Sequence, residues 1–253
     1  MPRKILYIHP IFDPEMVEPL KDYLNTYRQK DTQIDVICFD RGVKRLDYAY
    51  YQALVGLDIL NAVKKAEQDG YDAVIIGCFD DPLLREAKEI CGRMAVVGLA
   101  EASMHLAMVL GDSFSILCVE EKDCSQFRGL VQRYGCGGHF VSFQVLGTTV
   151  SELQHSPEKT RQKVETCVRA AVRDQGAEVV VLGCSMMFGF FRSVQEDHGI
   201  PVIDPTLAGL KFAEYLCEVG EGPGWRVSRR GAFKAPPEEE LRDWGLEWGG
   251  ARA

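Results

Sequence analysis

GYDAVIIGC at residues 70–78 and GAEVVVLGC at residues 176–184 are the two stretches whose comparison decides the fold. Each opens on glycine, runs through aliphatic and mostly β-branched residues, and closes on Gly-Cys. A short continuous apolar run bounded by turn formers suits a strand covered on both faces, as in a parallel sheet between helices. The two stretches overlie each other without a gap, residue 70 falling on residue 176, a displacement of 106. The same displacement carries AVVG (95–98) onto PVID (201–204). A duplication preserves the spacing between corresponding points, so equal displacement at two separate strands marks two similar halves.

Working outward, KILYIH (4–9), QIDVICFD (33–40), DAVIIGC (72–78) and AVVGL (95–99) read as four strands of the first half. SFSILCVE (113–120), HFVSFQVL (139–146), AEVVVLGC (177–184) and IPVID (200–204) read as four of the second. Residues 14–30, 47–69 and 81–93 carry apolar side chains at spacings of three and four with charges opposite, the pattern of crossover helices between parallel strands. Ser156, Pro157 and Glu158 have the order of a capped, acidic helix start. The class is α/β: two pseudo-symmetric units of about 105 to 110 residues, each a four-stranded parallel sheet flanked by helices. The division falls at 1–110, 111–217 and a tail at 218–253. The tail holds Arg226, Arg229, Arg230, all three tryptophans (Trp225, Trp244, Trp248) and one short helix candidate over 236–248. Large aromatics are costly to leave in water, so the tail is expected to pack on the body or on a neighbouring subunit.

Composition narrows the function. The 253 residues carry 29 Lys+Arg against 37 Asp+Glu, a net charge of −8, so the basic surface that drives nucleic-acid or anionic-membrane binding is missing. No apolar run approaches the length of a membrane span, and the N-terminal run before His9 and Pro10 is too short for a signal-peptide core. The nine cysteines are odd in number and spread along a long chain, which argues against a disulfide framework and for a reducing, cytoplasmic compartment. There is no CxxC pair and no zinc-finger spacing, and the five histidines are scattered, so no metal site is expected. Small molecules or other proteins are the partners this composition favours; a pair of reactive cysteines, Cys78 and Cys184, would act on a small molecule bearing a carbonyl or carboxylate.

Cys78 and Cys184 stand at equivalent points of the two halves, each after a glycine at the carboxyl end of a predicted parallel strand, where open α/β sheets place ligands. CFDDPLL offers Asp81 as a cap and Pro82 as the first residue of a helix. Its N-terminal amides and positive dipole end would lower the neighbouring thiol's pKa and hold an anionic oxygen. Two thiols facing one carbon acid from opposite sides could remove a proton on one face and return it on the other. Such general acid–base inversion needs no cofactor. A strand-end cysteine also serves simply as a small buried hydrophobe, the reading that suits Cys38, Cys118 and Cys167.

GCFDDPLLREAKEI followed by VVGLAEASMHLA, then VVLGCSMM and IPVIDPTLAGLKFAE, resembles the hydantoin and allantoin racemase branch of the aspartate/glutamate racemase superfamily. The resemblance extends over about residues 1–217. It implies two pseudo-symmetric flavodoxin-like domains with an active-site cleft between them, no cofactor, a homo-oligomer, and Cys78 and Cys184 as the paired acid and base. The backbone amides of Phe79 and Ser185 would then hold the oxygen that becomes enolate-like. Asp80, Glu101 and Met186, which lie within the motifs that carry the resemblance, and His9 at the end of the first strand are candidate substrate-binding residues.

The sequence departs from that pattern at two places. Where such proteins commonly have Asn-Pro-Asn after the first strand, this chain has His9, Pro10 and Ile11. After the second cysteine come Ser185, Met186 and Met187, then Phe188, Phe190 and Phe191, a bulkier and more apolar run. Phe190 and Phe191 read either as the buried face of a helix or as contacts to a larger substrate. Glu101 and Ser103 read as site-mouth residues or as parts of a helix start. Thr148 and Thr149 read as ligand contacts or turn formers. Asp80 and Asp81 suit capping better than magnesium, for want of a third acidic ligand. The activity most in keeping with these residues is racemisation of a 5-substituted hydantoin or related ureide. A maleate isomerase-like or arylmalonate decarboxylase-like reaction and a non-catalytic binding protein are the alternatives.

Overall fold

In the computed structural model, which describes residues 2–245, strands and helices alternate as the hydropathy pattern requires. β1 (Arg3–His9), α1 (Val17–Tyr27), β2 (Thr32–Cys38), α2 (Ala49–Gln68), β3 (Ala73–Ile76), α3 (Leu84–Ile90) and β4 (Ala95–Gly98) are followed by α4 (Leu99–Leu110). The pattern then recurs as β5 (Phe114–Cys118), α5 (Asp123–Arg133), β6 (Phe140–Val145), α6 (Val150–His155), α7 (Pro157–Arg173), β7 (Val179–Leu182), α8 (Phe191–His198) and β8 (Val202–Ile203). α9 (Pro205–Glu221) and α10 (Glu238–Asp243) complete the chain as described. Trp248, counted above with the tail, lies outside the described residues.

The two sheets have the same strand order, β2-β1-β3-β4 and β6-β5-β7-β8. Registers match too: Ile5 to Ile8 pair with Ala73 to Ile76, and Phe114 to Leu117 pair with Val179 to Leu182, both in parallel. β3 and β7 are buried along their whole length, which is why their sequences lack the polar alternation of a half-exposed strand. All eight expected strands form; β1 is one residue longer than the run that announces it and the other seven are shorter, β3 and β7 because their Gly-Cys ends have already left the ladder.

Contacts sort the chain into two units that are not contiguous in sequence. One comprises the N-terminal residues to Ile76, Pro82–Val97 and the chain from Lys211 onward; the other comprises Gly77–Asp81 and Gly98–Leu210. The five residues around Cys78 therefore group with the second sheet rather than with the strand that leads into them.

Two local expectations change. Ser156 does stand at the N-cap of α7, with proline next, but its side chain makes no capping bond. Seven residues earlier, Thr149 and Glu152 form a capping box on α6, so Thr148 and Thr149 serve a helix start. In the tail, Trp225 and Trp244 are 68% and 64% exposed, against the expectation that tryptophans dock it. Arginines hold it instead: Arg226 donates to the carbonyls of Gly220 and Arg93, and Arg229 to those of Lys88 and Gly92.

Candidate active site

β3 and β7 each end two residues before a cysteine, and the chain then turns in the same way twice. The amide of Asp81 donates to the carbonyl of Cys78 at 3.1 Å, and the amide of Met187 donates to that of Cys184 at 3.0 Å. Asp81 and Met187 are themselves 106 residues apart, so the repeat seen in the strands continues through both cysteine turns. Gly183 is required by close approach: a Cβ there would collide with the carbonyl oxygen of Leu117 and come within 3.0 Å of Phe127 and Ile116. Both cysteines are partly exposed, whereas Cys91, Cys118, Cys136, Cys167 and Cys217 are buried, and all nine thiols are free.

Cys78 Sγ lies 3.9 Å from Asp80 Oδ2, which it faces as a weak donor. Burial, and then the Asp80 carboxylate, push the Cys78 thiol well above the ordinary thiol range; the backbone N–H of Asp80 pulls the other way and Cys184 raises it further. This reverses the lowered pKa expected from a helix start beside the thiol. α3 begins only at Leu84, is seven residues long, and has Leu83, with φ +58°, at its N-cap with no side-chain bond. Asp81 does not cap α3 at all. Its carboxylate accepts the amides of Ala100 (3.0 Å) and Glu101 (2.8 Å) at the start of α4, and the Tyr134 hydroxyl (2.7 Å). Three donors already directed at Asp81 leave it badly placed to ligate a cation.

The remaining residues singled out by sequence divide between the units. Phe79, Asp80, Glu101, Thr148, Ser185 and Met186 belong with Cys78 and Cys184 in the second; His9 belongs to the first. Phe79 turns its ring inward against Phe127, edge-on at 4.9 Å between centroids, so only its backbone is available for a ligand. Ser185 and Met186 are buried, and the Met186 carbonyl accepts from Gln154 Nε2 at 2.8 Å. The Thr148 hydroxyl donates to Glu152 at 3.0 Å, within the α6 capping cluster. Ser103 back-bonds to the Leu99 carbonyl from the buried face of α4, and Phe190 is buried ahead of α8. His9 is 2% exposed, its Nε2 is 3.6 Å from Asp13 Oδ2, and neither ring nitrogen makes a hydrogen bond. Sequence reading did not find Tyr134 or Gln154, which reach the cysteine turns from helices remote in sequence and carry no local motif.

The Asp/Glu/Hydantoin racemase family model matches residues 5–213, through both sheets and both cysteine turns. The chain belongs to that family. It is 30% identical to a hydantoin racemase from Pseudomonas sp. (strain NS671) over 237 residues, covering 94% of this chain and 93% of that protein. A hydantoin racemase from Paenarthrobacter aurescens is 29% identical, with 94% and 99% covered. Among solved structures, allantoin racemase from Klebsiella pneumoniae superposes with a TM-score of 0.86 at 26% identity, covering 93% of this chain and 94% of that one. Membership makes the chain an isomerase of the racemase type, built on the family's paired α/β sheets. Among the described residues no helix is long and apolar enough to cross a membrane.

Proposed function

We propose that this racemase works without a cofactor by two-base proton transfer between Cys78 and Cys184, on a 5-substituted hydantoin or related ureide. The observation that carries this is the paired geometry: Cys78 and Cys184 follow equivalent buried strands 106 residues apart, and each carbonyl accepts the amide three residues on in the same turn. Two thiols that oppose each other's ionisation do not ionise together, so the ionised form of the pair has one thiolate and one thiol that keeps its proton. That is the state a two-base racemase needs. The thiolate takes the proton from the carbon next to the carbonyl, the electron pair moves onto the carbonyl oxygen, and the opposite thiol gives its proton to the other face as the enolate collapses. The two sulfurs end with exchanged protonation and no atom is gained or lost. The backbone N–H groups of Phe79 and Ser185 are the proposed donors to the enolate oxygen. Asp80, facing Cys78 Sγ, is the proposed carrier for the thiol proton between turnovers.

The names borne by the relatives support the substrate class, since hydantoin and allantoin share a ring carbon acid flanked by a carbonyl and a nitrogen. Proton NMR in D2O with single enantiomers of 5-substituted hydantoins and ureides tests the proposal. Wild type should wash out the signal of the reacting C–H while optical rotation falls to zero. Cys78→Ser and Cys184→Ser should each abolish inversion, and each should retain slow exchange of one enantiomer only. Wild-type racemisation by both variants would refute the two-base mechanism.

A further inference from the structure

The repeat makes visible an exchange of parts that no single motif announces. In the second half, Asp204, 3% exposed, accepts the amides of Thr206 (2.9 Å) and Leu207 (3.3 Å) at the start of α9, and the Gly189 amide from beyond the Cys184 turn (2.9 Å). In the first half the matching helix amides belong to Ala100 and Glu101, each 106 residues earlier than its counterpart, and they are accepted by Asp81, 2% exposed. The carboxylates nevertheless come from opposite ends of the connection. Position 98, equivalent to Asp204, is a glycine without a side chain, and the cap comes from the cysteine turn itself. Position 187, equivalent to Asp81, is a methionine that cannot accept from an amide with useful strength, and the cap comes from the strand end. Each half uses one such aspartate: Asp81 joins its own cysteine turn to a helix start, and Asp204 joins the segment just beyond the other cysteine turn to the equivalent helix start. All these groups lie within the second unit.

We infer that Asp81 and Asp204 are positioning residues, each holding one of the two reacting cysteines at its own face of the substrate carbon. This rests on the two-cysteine reading above and deepens it. Asp81 carries the more demanding turn: it stands at φ +48° and Leu83 at +58°, a region that side chains other than those of glycine, asparagine and aspartate enter at a cost. Amide donors at the start of α4 and the phenol of Tyr134, just past the end of α5, keep the turn in that shape. If a carboxylate that receives three hydrogen bonds is replaced by an amide, an NH2 group meets N–H donors and the turn relaxes. A displacement of the order of an ångström at a proton-transferring atom is costly to rate.

The readout that separates positioning from general stability is which face is affected. Exchange of each enantiomer in D2O is measured with Asp81→Asn and Asp204→Asn, each placed in the Cys184→Ser protein, where Cys78 is the remaining base, and in the Cys78→Ser protein, where Cys184 is. Asp81→Asn should slow exchange by Cys78 at least about tenfold and leave exchange by Cys184 within about twofold. Asp204→Asn should do the reverse. Tyr134→Phe, which removes one donor and leaves the backbone intact, should act in the direction of Asp81→Asn and serves where that variant fails to fold. Asp204→Ser, a shorter acceptor for the same amides, serves the other arm. Equal loss on both faces, or no loss on either, overturns the inference while the two-base mechanism stands. If the single cysteine variants themselves racemise at wild-type rate, the mechanism fails first and this inference falls with it.

Discussion

The carboxylate of Asp80 stands 3.9 Å from the Cys78 sulfur, and that of the next residue turns away to the amides of α4. Their effects on acidity can be measured separately. The negative charge of Asp80 opposes formation of a second negative charge on Cys78, so Asp80→Asn should bring the thiol's pKa down, while the backbone N–H at position 80, which favours the thiolate, remains. The pH at which iodoacetamide labels Cys78 at half its maximal rate, followed on the Cys78 peptide by mass spectrometry, should move to lower pH in Asp80→Asn; an unchanged profile would show that burial alone sets the acidity. Asp81 is pushed up to about 7 by burial, with the Glu101 charge adding, against the pull of Tyr134 and the two α4 amides. A carboxyl raised in the folded protein binds a proton that the unfolded chain has already released between its ordinary value and about 7. Its stabilising contribution is therefore complete at low pH and lost as pH rises through about 7. Thermal melts from pH 5 to 8 should show wild type losing more stability with rising pH than Asp81→Asn. Parallel curves for the two proteins would contradict this.

At the scale of elements, the close approach of the β7 end to β5 is the feature most open to a single change. A methyl at Gly183 would push into the Leu117 backbone, which cannot swing aside as a side-chain tip can. Gly183→Ala should cost at least about 2 kcal/mol, the range of overpacking in a filled core, and should lower activity further because Cys184 is the next residue. Urea unfolding measures the first effect and racemisation per folded molecule the second. The same elements show what sequence alone could reach. The eight strands, the two matched sheets and the pair of strand-end cysteines were legible because hydropathy and the displacement of 106 are carried by contiguous residues. The capping of helix starts was not. Asp81 next to Pro82 has the local signature of a cap for the following helix, yet its partners are amides at 100 and 101 and a hydroxyl at 134. A short acceptor satisfies whichever buried donors the tertiary fold brings to it, and the helix after Cys78 starts too late to compete. The thiol pKa expectation failed for the same reason: it assumed a dipole end that lies elsewhere.

On the scale of the whole chain, the family match ends at residue 213, and the tail that follows α9 is a separate physical problem. Its tryptophans were expected to act as anchors because burying indole is favourable; in the described structure Trp225 and Trp244 remain largely in solvent, and the attachment is polar. Arg229 places Nη1 2.6 Å from the Lys88 carbonyl and Nη2 2.8 Å from that of Gly92, at and just beyond the C-terminal end of α3, where unsatisfied carbonyls gather and a cation is favoured. Arg226 does the same at Gly220 near the end of α9, with a second bond to Arg93. The short turn Gly231–Phe233 then packs on α3. Attachment through two guanidinium forks predicts a tail that can be released without unfolding the body. Arg226→Ala with Arg229→Ala should make the segment after residue 222 sensitive to brief chymotrypsin treatment, with Trp225 as a cleavage site, while the main thermal transition moves by no more than a few degrees. High salt should reproduce part of the effect in wild type, since these contacts are partly exposed and charge-assisted. If the double variant resists cleavage as wild type does, apolar contacts from Val227 and Phe233 hold the tail. If it lowers the main transition strongly, the tail is an integral part of the first unit.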